Sequence, residues 1–218
     1  LWAEKLPQTK KETNSEAIQR AEIKNLYRTV PNIRITTLDK KVIGLLSLWD
    51  ERPLLITLFY RRCTGACSPF LRSLKAAVEK NGGVGEDYNV LALSFDEKDT
   101  LDDVREMADA VGVSSAKGWI LGKATGRDIA RLDEAIGFWF KEDARKNQFD
   151  HPSLVAGVKI GKVQRVLLGV VVDPSRLKEV IFTLKGIFVP FYAQPNEDTI
   201  FRCLDYNAQT GEVMWSWG

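Results

Sequence analysis

Leu54-Leu-Ile-Thr-Leu-Phe-Tyr60 runs directly into Arg61-Arg-Cys63-Thr-Gly-Ala-Cys67-Ser-Pro69. The first segment is apolar except for Thr57 and lacks the alternation of a half-wet strand, so it reads as a buried central strand. Beyond Cys67 the signals become helical. Ser68 can cap, Pro69 suits a first helical position, and Phe70, Leu71, Leu74, Ala77 and Val78 recur at helical spacing up to Asn81-Gly82-Gly83. The stretch therefore delivers two thiols to the start of a helix. The dipole there, with Arg61 and Arg62 beside it, is expected to favour thiolate.

Two cysteines with three residues between them can converge on one face of a first helical turn or flank a tight turn at Gly65. A Cys-x-x-x-Cys pair is a weaker signal than Cys-x-x-Cys, and two small buried hydrophobes are the plain alternative. The third cysteine, Cys203, lies in Phe201-Arg-Cys-Leu-Asp-Tyr206 and reads as a packed core thiol in a strand.

With 218 residues the chain suits one elaborated domain. A net charge of +2 without any nucleic-acid module gives no reason to expect a nucleic-acid partner. The longest apolar runs, such as Val166 to Val172, fall short of the ~20 residues a membrane helix needs. Because the chain opens at Leu1, a signal or anchor removed from a longer precursor is expected, so any membrane link would run through an anchor absent from this chain.

Working outward, residues 1–14 read as an extended, fraying arm, and Glu16 to Arg28 as an amphipathic helix capped by Ser15. Ile33 and Ile35, a turn at Asp39-Lys40 and the stretch Val42 to Trp49 read as a leading hairpin, with Asp50-Glu-Arg-Pro53 turning into the central strand. Asn89 to Phe95 is a second buried strand, parallel to the first. Leu101 to Val111 follows as a helix in which Met107 is core, then a short strand Trp119-Ile-Leu121 and a helix capped by Thr125 with Asp128. That helix ends near Gly137-Phe-Trp-Phe140, whose aromatics are expected to cover the core.

Lys141 to Phe149 reads as a charged loop leading to Asp150-His151-Pro152, which carries the only histidine. Val155 to Ile160 and Val163 to Val172 then flank Gly161-Lys162, a type II′ hairpin turn by its leading glycine. Asp173 and Pro174 open a last helix with Leu177, Val180, Ile181 and Leu184 on one face. From Ile187 onward, Phe201 to Tyr206 and Val213 to Trp217 suggest an appended hairpin.

This order of elements is that of an α/β, thioredoxin-like fold with a central mixed sheet flanked by helices. The expected divisions are 1–30 (N-terminal arm and helix), 31–186 (thioredoxin-like domain) and 187–218 (C-terminal extension packed on the domain). In such a fold the loop bearing His151 faces the dithiol helix, so Cys63, Cys67 and His151 can meet. Two thiolates and an imidazole suit copper, as Cu(I) or Cu(II), better than zinc, which usually takes a fourth ligand. Asp150 is placed to orient the histidine, and Pro152 is a candidate cis proline opposite the dithiol.

Phe59-Tyr-Arg-Arg-Cys63-Thr-Gly-Ala-Cys67-Ser-Pro69, Ser94-Phe-Asp96 with Asp99-Thr100, and Asp150-His151 before Gly161-Lys162 together resemble the SCO/SenC family over residues 31–186. The resemblance implies a copper-binding, thioredoxin-like metallochaperone of cytochrome c oxidase assembly, with Cys63, Cys67 and His151 as copper ligands. It also implies a periplasmic or mitochondrial intermembrane-space setting. The partner would be the oxidase's copper-site subunit or another copper protein, which receives copper or has its cysteines reduced. Two departures stand out: Thr64 replaces the proline that many members carry, and Asp96-Glu-Lys-Asp-Thr100 is one residue shorter than the usual Asp-Pro-x-x-Asp-Thr.

A copper carrier is favoured over an enzyme. The alternative is a metal-free thiol–disulfide oxidoreductase acting on cysteines of a copper protein, in which Cys63 attacks, Cys67 resolves and His151 shuttles a proton or stands by. A peroxiredoxin-like reading of Thr64-Gly-Ala-Cys67 is weaker, because Tyr60 stands where that family has a proline four residues before the threonine. A thioredoxin-like interaction module is the remaining alternative.

Overall fold

The computed structural model describes residues 14–63, 67–145, 147–187, 205–207 and 212–214. Of the fraying arm expected over residues 1–14, 1–13 lie outside the described residues, as do the turn at Gly65 and Cys203 itself, whereas Asn14 already begins a helix. Among the described residues no helix is long and apolar enough to cross a membrane.

The chain opens with α1 (Asn14–Ile23), then β1 (Arg34–Thr37), β2 (Val42–Gly44), α2 (Leu45–Glu51) and β3 (Leu54–Phe59). It continues with α3 (Cys67–Asn81), β4 (Asn89–Ser94), α4 (Leu101–Val111), β5 (Trp119–Ala124) and α5 (Gly126–Ile136). A small hairpin follows, β6 (Lys141–Asp143) and β7 (Gln148–Asp150), before β8 (Leu154–Lys159), β9 (Lys162–Leu168) and α6 (Pro174–Leu184). In the tail, β10 (Asp205–Asn207) pairs antiparallel with β11 (Glu212–Met214), a hairpin within the region read as one.

β3 and β4 are buried at all six positions, as their largely apolar sequences require, with Thr57, Asn89 and Ser94 the polar exceptions. They pair in parallel, and the seven-stranded mixed sheet has the order β2-β1-β5-β4-β3-β8-β9. The α/β, thioredoxin-like architecture expected from the order of elements is the one observed. α3 turns Cys67, Phe70, Leu71, Leu74, Ala77 and Val78 inward. α6 lies so close to β8 that a Cβ on Gly157 would stand 2.6 Å from Val180 Cγ1. Met107 is buried, as expected of a core residue.

The helix starts follow side-chain chemistry. Thr100 and Asp103 form a reciprocal capping box on α4, Thr125 accepts from the Asp128 amide, and Asp173 accepts from Ser175 and Arg176 ahead of α6.

Five expectations need correction. α1 ends at Ile23, short of Arg28, and the chain then passes through Tyr27 at φ 62. The stretch Val42 to Trp49 is strand only to Gly44. Leu45, Leu48 and Trp49 sit at helical spacing, and Asn32 Oδ1 accepts the Leu46 amide at 2.9 Å, so it coils into α2. The charged segment read as a loop forms β6 and β7, whose partly exposed pattern has no apolar alternation to announce it. Gly161-Lys162 is not the turn. Lys159 pairs with Lys162, leaving Ile160 and Gly161 at the tip with φ of 50 and 64, the positive values of a type I′ rather than a type II′ turn. The peptide before Pro152 is trans.

Asp133 on α5 is buried, with Oδ1 lacking a hydrogen-bond partner, and burial pushes its carboxyl from 3.8 up to about 7. A raised carboxyl makes the folded state hold a proton that the unfolded state releases, so stability should fall as pH rises from about 4 to about 7 and then level off. Relative to Asp133→Asn, the native chain should lose up to about 4 kcal/mol over that window, for ~3 units at ~1.4 kcal/mol each. Urea unfolding of both proteins across the window checks this, and a difference independent of pH would count against it.

Ile160 is a β-branched side chain, 77 % exposed, in left-handed backbone. Ile160→Asn should raise stability by about 1 kcal/mol in denaturant unfolding, since Asn tolerates that conformation and little burial is lost.

Candidate metal centre

β3 ends at Phe59, Tyr60 remains buried, and the chain turns outward through Arg61 and Arg62 to Cys63 before α3 begins at Cys67. The two cysteines are thiols rather than a disulfide. Cys63 is half-buried, Cys67 is 3 % exposed, and the Cys67 amide, the first of α3, points at Cys63 Sγ at 3.3 Å.

His151 follows β7 and precedes β8. Its Nε2 lies 3.6 Å from Cys67 Sγ, and its Nδ1 lies 3.0 Å from the Pro152 carbonyl. A carbonyl can only accept, so the hydrogen bond places the proton on Nδ1 and leaves the neutral ring's Nε2 lone pair facing the sulfur. A backbone carbonyl thus orients the ring. Tyr60, Phe95 and Phe138 stand with ring centroids 5.2–5.6 Å from the imidazole, Phe140 stacks on Phe95 at 4.8 Å and Phe149 meets Phe95 edge-on at 5.4 Å. The aromatics after α5 therefore wall the site as well as cover the core.

The ligand atoms of Cys63, Cys67 and His151 all lie within 4.8 Å of one another, so the structure brings together all three residues singled out in the sequence. Sulfur and nitrogen atoms around one ion, with bonds of ~2.0–2.3 Å, stand roughly 3.5–4 Å apart. The observed spread needs closure by less than about 1 Å, and soft sulfur with imidazole matches copper. The residues present fit the ion.

The electrostatics differ from expectation. Arg61 is paired with Glu106 and Arg62 with Asp96, so the cationic charge beside the dithiol is compensated. The Cys67 thiol is pushed well above its usual range, first by its hydrogen bond to Cys63, then by burial and by the charge of Cys63. The expectation of a favoured thiolate does not hold for Cys67.

The Ser94 to Thr100 segment supplies no ligand. Asp96 Oδ2 receives the Arg62 guanidinium, Asp99 Oδ2 receives the Arg61 amide at 2.8 Å and the Ser94 hydroxyl at 2.6 Å, and Thr100 caps α4. These residues hold the cysteine loop against the sheet. Sequence reasoning missed Tyr60 and Gln148. The Tyr60 hydroxyl lies 2.8 Å from Gln148 Oε1, and Gln148 Nε2 donates to the Arg62 carbonyl at 2.8 Å. A phenol closing an otherwise apolar strand was a signal for the first, whereas nothing in the sequence marked the second.

No protein-family model matches the chain, and no curated protein matches it in sequence. Solved structures do. A candidate electron transfer protein from Aquifex aeolicus VF5 is 27 % identical with a TM-score of 0.70, the match covering 77 % of this chain and 99 % of that one. ScoI from Arabidopsis thaliana, solved with copper bound, is 16 % identical with a TM-score of 0.60, covering 72 % and 99 %. BsSco, a Sco-family cytochrome c oxidase assembly protein in which a disulfide switch was identified, is 17 % identical with a TM-score of 0.62, covering 75 % and 97 %. The chain shares its fold with Sco structures, in agreement with the resemblance carried by its motifs.

In the reduced, metal-free protein, iodoacetamide should modify Cys63 roughly tenfold or more faster than Cys67 at mildly alkaline pH, because Cys67 is both buried and held as thiol. Peptide mass spectrometry over time measures both rates, and equal or reversed rates would contradict the assignment.

Proposed function

We propose that the chain is a copper-binding protein of the SCO/SenC type. In this reading it carries one copper ion on Cys63, Cys67 and His151 and delivers it to, or matures, the copper site of cytochrome c oxidase. The observation that carries the reading is the convergence of two thiols and one imidazole within 4.8 Å, at the end of a thioredoxin-like sheet. The sulfurs would hold Cu(I), and the imidazole adds the borderline ligand that accommodates Cu(II). The aromatic wall limits water on the histidine side. The partner would be the oxidase subunit that houses the copper site, or another copper protein. The setting would be the periplasm or the intermembrane space, outside the reducing cytosol that would compete for thiol-bound copper. Residues 31–186 form the working domain in this reading, with 1–30 as an N-terminal arm and helix and 187–218 as a C-terminal extension packed on the domain that offers a partner surface.

A second reading is favoured by one observation, the α3 amide aimed at Cys63 Sγ. In a thiol–disulfide oxidoreductase, the Cys63 thiolate would attack a substrate disulfide and release one thiolate. The Cys67 thiolate would then displace the second from Cys63, leaving the substrate reduced by two electrons and the pair oxidised. Cys67 is buried, which suits it poorly to attack an incoming mixed disulfide, so the carrier is the better-supported role.

Anaerobic titration of the reduced protein should show one equivalent of Cu(I) bound. The Cu(II) form should have sulfur-to-copper charge-transfer absorption that Cys63→Ser abolishes and His151→Ala shifts or weakens. A protein that holds no copper yet turns over disulfide substrates regardless of His151 would leave the oxidoreductase reading instead.

A further inference from the structure

His151 reaches the dithiol from a part of the chain that the main sheet does not hold. β6 and β7 form their own two-stranded sheet, unpaired with the seven-stranded one. Downstream the chain is fixed at Leu154, whose carbonyl accepts the Thr57 hydroxyl at 2.8 Å. Upstream, the ties run through side chains to the residues just before Cys63. The Tyr60 hydroxyl donates to Gln148 Oε1 at 2.8 Å and accepts the Phe149 amide at 3.2 Å. The Gln148 Nε2 donates to the Arg62 carbonyl at 2.8 Å, and the Arg62 guanidinium donates to Asn147 and lies 5.9 Å over the Phe149 ring. One carboxamide thus uses its acceptor on Tyr60 and its donor on Arg62, while its own strand, β7, ends at Asp150 and leads straight into His151.

We propose that Tyr60 and Gln148 are positioning residues for the metal centre, a latch that sets the distance between His151 and the two sulfurs and so decides how well the imidazole serves as a ligand. The inference rests on the copper reading for its consequence and on the hydrogen bonds for its mechanism. Neither residue touches the ion. A phenylalanine at 60 keeps the ring packing on Phe95 and Phe149 but removes the hydroxyl, and a glutamate at 148 keeps the shape but removes the donor to Arg62.

The test compares Tyr60→Phe and Gln148→Glu with the native chain, alone and in a His151→Ala background. Each variant should weaken Cu(II) binding about tenfold and shift the charge-transfer band, as loss of an orienting partner does. Cu(I), held by the two sulfurs, should change by less than about threefold in Gln148→Glu; the Tyr60 hydroxyl also neighbours Cys63, so Tyr60→Phe is read on Cu(II) alone. In the His151→Ala background Gln148→Glu should not weaken Cu(II) further, because that residue acts through the imidazole. Unchanged Cu(II) binding, or the same Gln148→Glu loss without His151, overturns the proposal.

A readout in the metal-free reduced protein separates this outcome from failure of the copper reading. Proton nuclear Overhauser contacts from the His151 ring to Phe95 and Phe138 should weaken in both variants, while exchange protection of the β3 and β4 amides stays as in the native chain. Should the native protein bind no copper, retained contacts in the variants still overturn the latch, and lost contacts with an intact sheet support it.

Discussion

β3 is buried at every position, and a strand with no wet face has to be flanked by strands on both edges and covered on both faces. That constraint decides where the chemistry lies. β4 pairs with β3 in parallel, so its C-terminal end, with Ser94, Asp96 and Asp99, arrives beside the end of β3 where the cysteines begin. β8 pairs with β3 antiparallel, Leu54 opposite Val158 and Ile56 opposite Ala156, so β8 starts at that same end. The residue bearing the imidazole, just ahead of β8, is carried there by register. Open α/β sheets bind ligands outside the carboxyl ends of their strands for the same topological reason.

Burial of the strand also explains the acidic pair next to the cysteines. The turn after Tyr60 must leave the sheet without stranding its amides and guanidinium groups in apolar surroundings. Asp99 takes the Arg61 amide, and Asp96 takes the Arg62 side chain. The arginines then hold the loop in place rather than supply net positive charge to the sulfurs. The arginine charge is matched by carboxylates, while Cys67 is raised first by its hydrogen bond to Cys63 and then by burial.

The parts of the fold that were legible in the sequence are those in which a single period dominates. The predominantly apolar runs of β3 and β4 and the helical spacing of Phe70, Leu71, Leu74, Ala77 and Val78 left little choice, and the caps at Thr100, Thr125 and Asp173 marked where helices start. The three candidate ligands were legible because thiols and a lone histidine are rare residue types. Other parts depended on contacts made at a distance. α2 needs Asn32 to take the Leu46 amide, and the β8–β9 turn puts Ile160, a poor residue for positive φ, where register demands it. β6 and β7 carry no hydrophobic alternation because their order comes from Tyr60, Gln148 and Arg62 rather than from a buried face.

The arrangement of the sulfurs bears on which chemistry the site suits. A dithiol that exchanges disulfides quickly needs both thiols to reach the thiolate form in turn, and the resolving one must be accessible to the mixed disulfide. Cys67 is buried, and the Nε2 of His151 lies 3.6 Å from its sulfur. A soft metal changes this balance, since binding supplies the free energy to release the thiol protons and gives the Nε2 lone pair an acceptor. The features that slow Cys67 as a resolving thiol therefore leave a metal site intact, with protons leaving as the ion enters. The burial of Cys67 thus adds to the convergence of the three side chains in favouring a carrier over an oxidoreductase.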